Sequence, residues 1–150
     1  MKLINKYFYN IFVAIAISII FRFYLLDIYG DTSLEYEWKT LFYNLKNHGV
    51  LSFRSFNNVL IPSVYMPPLY VYFIYFVDLI SLHNQNLVKL ILITQIFFST
   101  ISIYFFFKIN LEFFSKKVSL ICTYIFCFFP LNIYSCLQIS SITIQILFNI

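Results

Sequence analysis

Apolar residues fall in long runs along this chain, and polar residues collect at the joints between them. The first run spans about residues 9–26, the second 67–81, the third 87–107 and the fourth 118–136. A fifth begins near 139 and is still apolar at Ile150. The longer runs reach the ~20 residues that a helix needs to cross a hydrocarbon core. The pattern predicts an all-α, polytopic transmembrane helix bundle. The second run, PPLYVYFIYFVDLI, is short for a span, and Pro67 or Pro68 suits its first turn, where a missing N–H costs nothing. Because the last run stops without a polar flank, the chain is expected to be the front part of a longer protein and inactive by itself.

The longest polar interval is the loop 27–64. Within it Leu34, Trp38, Leu41, Phe42 and Leu45 recur at helical spacing and form one apolar stripe. Thr32 and Glu35 fit a capping box, with Asp31 as an alternative N-cap. Glu35 and Lys39 form an i, i+4 pair, and Gly49 closes the helix. The loop is therefore expected to carry an amphipathic juxtamembrane helix, lying flat in the interface or packed on neighbouring spans.

Lys2 and Lys6 place the N-terminus in the cytoplasm and the loop on the far side. Alternation through every run then puts Lys108, Lys116 and Lys117 outside, against the same rule. Either the early lysines are outvoted or segment 67–80 does not fully cross, and full crossing is the expectation taken here. Arg22 sits near the far end of the first run, where its stem could snorkel to the interface beside Asp27.

Composition narrows the function. With 61% hydrophobic and 11% charged residues and a mean hydropathy of +0.83, the chain lies outside the soluble globular range. The twenty Phe and thirteen Tyr are spread along the whole chain, as A/T-rich codon usage would give. The net charge of +4 is dispersed, without the basic stretch that nucleic-acid binding needs. Cys122, Cys127 and Cys136 lack CxxC spacing and a nearby histidine, so packing is their expected role. His48 and His83 are solitary loop residues. Neither a metal nor a cofactor is expected: GxGxxG, P-loop and DxD patterns are all lacking.

Against this background the stretch GDTSLEYEWKTLFYNLKNHG (30–49) stands out, because Asp31, Glu35 and Glu37 are three of the chain's six acids. One by one they read as a cap and a solvated helix face. Together, at the mouth of a membrane protein, a carboxylate can take a proton from an acceptor hydroxyl. Arg22, Lys39, Lys46 and Arg54 are the cations available for a departing phosphate.

The order of motifs also resembles a known family. A span ending RFYLLD is followed by GD-x-x-x-EY, a helix ending HG-x-LS, then PSVYMPPLYVYF. After these come LVKLILITQIFFSTISIYFF, an FFSKK turn and a span closing in FFPLNIYS. The whole is similar to the N-terminal portion of GT-C membrane glycosyltransferases, in the protein-O-mannosyltransferase-like and 4-amino-arabinose-transferase-like group (families 39 and 83). That resemblance implies an inverting enzyme that takes a sugar from a polyprenyl-phosphate donor. The acceptor would be a lipid, glycan or protein on the extracytoplasmic face, and the setting a bacterial-type inner membrane.

Asp31 matches the family's catalytic base. Some members carry a second acid directly after it; Thr32 stands there in this chain, so Glu35 and Glu37 are the candidates. Arg22, Arg54 and Lys39 are the candidates for the donor phosphate. The YMPPLY segment matches the family's entry into a second span. The alternative is a non-enzymatic flippase or transporter subunit for lipid-linked glycans, and a small membrane scaffold ranks behind it. Transporters place ionisable groups and Gly/Pro breaks near the midplane. These runs hold almost none, which favours the enzyme.

Overall fold

A computed structural model describes residues 2–57, 59–63, 66–81 and 86–150, the side chains of 2–8 aside. It is mostly helical, in the order α1 (Lys2–Tyr29), α2 (Tyr36–His48), β1 (Arg54–Phe56), β2 (Val59–Ile61), α3 (Pro68–Ile80), α4 (Leu87–Phe113), α5 (Lys116–Phe128), α6 (Pro130–Ser135) and α7 (Ile142–Asn149). Two helices are long and apolar enough to cross a membrane, Tyr9–Tyr29 within α1 and Leu87–Phe113. The chain forms two compact units, one of residues 1–30 with 92–150 and the other of 31–91.

The first unit buries several small and polar residues on α1 and α5. On α1 the buried positions Ala14, Ser18 and Arg22 are small or polar and Ile11 and Leu26 are large and apolar, whereas Phe12, Ile17, Ile20 and Tyr24 are exposed. On α5 Ser119, Thr123 and Cys127 are buried at i, i+4 and i+8, and Ile121 and Ile125 face outward. Small residues on both helices allow close backbone approach. The Cys127 Sγ accordingly comes to 3.7 Å from the Ala14 carbonyl.

Contacts rise together along this pair. The Tyr124 hydroxyl donates to the Asn10 carbonyl at 3.4 Å, Cys127 meets Ala14 above it, and Gln138 Nε2 donates to the Tyr29 carbonyl at 2.9 Å. Helices α1 and α5 therefore run parallel. Helix α4 runs antiparallel to α5: Phe106 stacks on Phe126 with ring centroids 4.3 Å apart, and the Ser119 hydroxyl reaches the Asn110 carbonyl at 3.0 Å. The expected span 118–136 is not continuous, because Pro130 lacks the N–H that would carry α5 onward. The chain breaks at Phe129 and restarts as α6.

The second unit is built on larger side chains. Of the expected stripe, Trp38, Leu41, Phe42 and Leu45 are buried and Leu34 lies half-buried ahead of α2, which packs against α3, where Tyr70, Val71, Ile74 and Val77 are buried. Of the two roles expected for the stripe, packing on a neighbouring helix is realised. Trp38 meets Tyr70 edge-on with centroids 4.7 Å apart. Helix α3 has 13 residues, a length of about 20 Å, against a hydrocarbon core of ~30 Å. The expected span 67–81 is thus shorter than a crossing requires.

A hairpin joins α2 to α3. Its strands pair Phe56 with Val59 and Arg54 with Ile61. Asn57 takes φ +50°, a conformation that asparagine tolerates in two-residue turns. The Ser52 hydroxyl lies 2.7 Å from the Arg54 carbonyl and 2.6 Å from that of Ile61, and Asn44 Nδ2 donates to the Ser52 carbonyl at 2.7 Å. These bonds hold the hairpin to α2.

Candidate functional site

Two features of the local chain place the acidic stretch. Gly30 ends α1, its N–H donating to the Leu26 carbonyl at 3.0 Å, and any Cβ there would collide with that carbonyl. The chain then runs irregularly through residues 31–35 before α2 begins. The expected capping box does not form. Glu35 itself occupies the N-cap position with no side-chain capping bond, so Thr32 and Asp31 lie outside the helix. The apolar stripe explains the later start, since Trp38 is the first of its residues to be buried.

Asp31 is half-buried in this irregular segment, whereas Glu35 is exposed. Glu37 is half-buried in the first turn of α2, where a negative charge complements the helix dipole. Lys39 is exposed on α2, and its backbone N–H bonds to the Glu35 carbonyl at 2.8 Å. Arg54 is exposed on β1. Gly49 adopts φ +69° and donates to the Leu45 carbonyl, closing α2 as expected. His48 is exposed in the last turn of α2, and His83 lies outside the described residues. Among the described residues no group of three or more His, Cys, Asp or Glu could hold a metal ion.

The most tightly held charges of this unit are a pair. Lys46 Nζ lies 2.8 Å from Asp78 Oδ2, with the Asp78 side chain 6% exposed. Lys46 also lies 5.5 Å from the centroid of the Phe42 ring. Asp78 was not among the residues singled out from the sequence. Its signal was an acid near the end of an otherwise apolar helix, a costly placement unless a cation meets it. Lys46, read as a cation for phosphate, is committed to Asp78.

Arg22 departs from its expected setting. It is fully buried in the first unit, where its guanidinium bonds backbone carbonyls in place of snorkelling to the interface beside Asp27. Its guanidinium donates to the Ser18 carbonyl at 3.3 Å and to the Cys127 carbonyl at 3.2 Å, and its Nε has no hydrogen-bond partner. The reason lies in the break at Pro130. Pro130 takes away one N–H from the last turn of α5; the Phe126 carbonyl accepts from the Phe129 N–H at 3.4 Å and from Asn132 Nδ2 at 3.1 Å, and Arg22 serves Cys127. A cation at the carboxyl end of a helix also meets its dipole. The same unit has an apolar groove of about 540 Å³, lined by Phe21, Leu25 and Tyr29 of α1 with Phe128, Pro130 and Tyr134. A buried ionisable group, Arg22, thus sits beside the break at Pro130.

Asp31, Glu35, Glu37, Lys39 and Arg54 thus belong to the second unit, and Arg22 to the first. No family model, curated protein or solved structure matches this chain.

Proposed function

We propose that this chain is part of a polytopic membrane glycosyltransferase that moves a sugar from a polyprenyl-phosphate donor to a lipid, glycan or protein acceptor. Asp31 is the general base. Its carboxylate takes the acceptor's hydroxyl proton, the acceptor oxygen attacks the anomeric carbon, and the sugar–phosphate bond breaks with inversion. Polyprenyl phosphate leaves. Arg54 and Lys39, both exposed, are the cations of the same unit that can meet the phosphate, and Glu35 and Glu37 are the candidates for a second carboxylate. Arg22 is reserved for the helix break, so its part in donor binding would require that break to open.

The observation that carries this reading is the half-buried Asp31 directly after a helix able to span a membrane, outside α2 and followed by two further acids. The membrane setting is supported by two helices long and apolar enough to cross, and by the many large apolar residues of the first unit that are exposed, Phe12, Ile17, Ile20, Phe97, Ile121 and Ile125 among them. Lys2 and Lys6 then orient the N-terminus to the cytoplasm and Asp31 to the outer face.

The second reading, a flippase or transporter subunit, is favoured by one specific observation. A broken helix capped by a buried cation is the kind of feature that lines transport sites. The two readings part on a covalent bond. The complete gene product, purified and supplied with polyprenyl-phosphate-linked sugars and mixed cell-envelope acceptors, is expected to release polyprenyl phosphate. Donor that crosses vesicles with its sugar still attached would overturn the enzymatic reading.

A further inference from the structure

The lysines of the two halves of this chain disagree about topology if every apolar segment crosses, and the structure removes the disagreement. In the first unit α1 and α5 run parallel, with Asn10 beside Tyr124 and Ala14 beside Cys127. Residue 2 lies eight positions before Asn10, and Lys116 eight before Tyr124. At about 1.5 Å per residue both helices therefore begin at the same level, roughly 12 Å below that contact. If this unit sits in a bilayer, Lys116 and Lys117 stand on the same membrane face as Lys2 and Lys6. Getting from the end of α1 to the start of α5 then takes an odd number of crossings. Helix α4 is long and apolar enough to supply one, running antiparallel to α5. A second crossing by α3 would put Lys116 on the wrong side.

Helix α3 has its own reasons not to cross. Its partner α2 lies alongside it in register: Trp38 meets Tyr70 near their starts, and Lys46 meets Asp78 near their ends. The two helices run parallel over the whole of α3. If α3 entered the hydrocarbon, α2 would go with it, and Lys39, Asn47 and His48 are exposed on α2. Such groups are costly at depth. The side of α3 turned away from α2 has a different character, since Leu69, Tyr72, Phe76, Leu79 and Ile80 are all about half exposed or more. An apolar face on one helix and a polar face on its partner match the boundary between headgroups and acyl chains.

We propose that α2 and α3 form an interfacial pair lying on the outer leaflet, with the free apolar side of α3 embedded among acyl chains, and that residues 30–86 stay on one side of the bilayer. The occupant of that face is the membrane to which the segment is tethered at both ends, by α1 and α4. The proposal departs from the family resemblance, in which the PPLY segment enters a second span. It rests on the membrane reading and not on any chemistry of sugar transfer.

Three single-cysteine substitutions at exposed positions test it: Asn47→Cys before α3, Asn86→Cys after it, and Lys117→Cys after α4. Each is expressed in cells, labelled with a membrane-impermeant maleimide before and after permeabilisation, and corrected for labelling of the native cysteines. Asn47→Cys and Asn86→Cys are expected to label alike in intact cells, and Lys117→Cys at least tenfold more after permeabilisation. The mirror-image result would uphold the pairing of 47 with 86 and overturn only the orientation assigned by the lysines. Asn47→Cys and Asn86→Cys reporting from opposite sides would overturn the proposal.

Discussion

The two units solve the same problem, holding helices together, by opposite means. In the first, α1 and α5 meet where Cys127 lies against the Ala14 carbonyl, Tyr124 bonds that of Asn10 and Arg22 bonds that of Cys127, and many large apolar residues are left outside. In the second, α2 and α3 meet through Trp38, Phe42, Leu45, Tyr70 and Ile74, joined by the Lys46–Asp78 pair. Where the surroundings are as apolar as a leucine, burying leucines gains little, and close backbone approach carries the packing. Where one side of a helix pair meets water, burying large side chains is favourable in the ordinary way. On the proposed membrane reading, the contrast matches a first unit in lipid and a second unit, with the acids, that meets water.

Substitutions can break or sharpen this contrast, and the largest effect is expected at the ion pair. Lys46→Ala removes the cation held against a buried carboxylate, a change that costs about 3–5 kcal/mol when a buried charge loses its partner. Thermal unfolding in bicelles should show the loss. The double substitution Lys46→Leu with Asp78→Leu should recover most of it, because an apolar pair of similar volume leaves no buried charge. If the single change is neutral, the pair does not hold the second unit together.

An intermediate effect is expected in the first unit. Ser18→Leu puts a branched side chain into the small-residue stripe, and overpacking there should cost about 1–3 kcal/mol. The same leucine at exposed Tyr24 of α1 should be tolerated. Equal sensitivity at the two positions would contradict the small-residue account. The smallest effect is expected at Gly49→Ala. The added Cβ meets no atom within 4 Å, so only its φ of +69° matters, and about 1 kcal/mol should be lost from α2. A larger loss would point to a contact made by this turn that the isolated backbone strain does not explain.

Much of this was legible in the residues. The stripe from Trp38 to Leu45 and the closing Gly49 stood at their helical positions, since both signals are local. The helix start was misplaced. Thr32 and Glu35 have the spacing of a capping box, but burial of Trp38 decides where α2 begins. The hairpin went unread although Asn57 and Asn58 separate two short strand-like runs, and the turn is visible only if that dipeptide is weighted. The pairing of Lys46 with Asp78 spans 32 positions in sequence, beyond any periodicity. Arg22 was placed by its distance from the end of the first run, whereas its setting depends on carbonyls freed by Pro130 far along the chain. The Ala14–Ser18 and Ser119–Thr123–Cys127 stripes were present as spacing, masked by the large apolar residues between them.

Asp31, Glu35, Glu37, Lys39 and Arg54 fall in one unit, but the loop that carries them also contains a hairpin and a committed ion pair. The account therefore turns on Asp31 alone. The most direct test compares Asp31→Asn with the wild type in the complete gene product, measuring donor binding and sugar transfer in the same preparation. Trp38, the sole tryptophan, reports on the fold of the second unit. Unchanged tryptophan emission and unchanged donor binding, with transfer lowered by about 100-fold or more, is the predicted result for loss of a general base. Transfer at the wild-type rate in a folded, donor-binding Asp31→Asn protein would contradict the account.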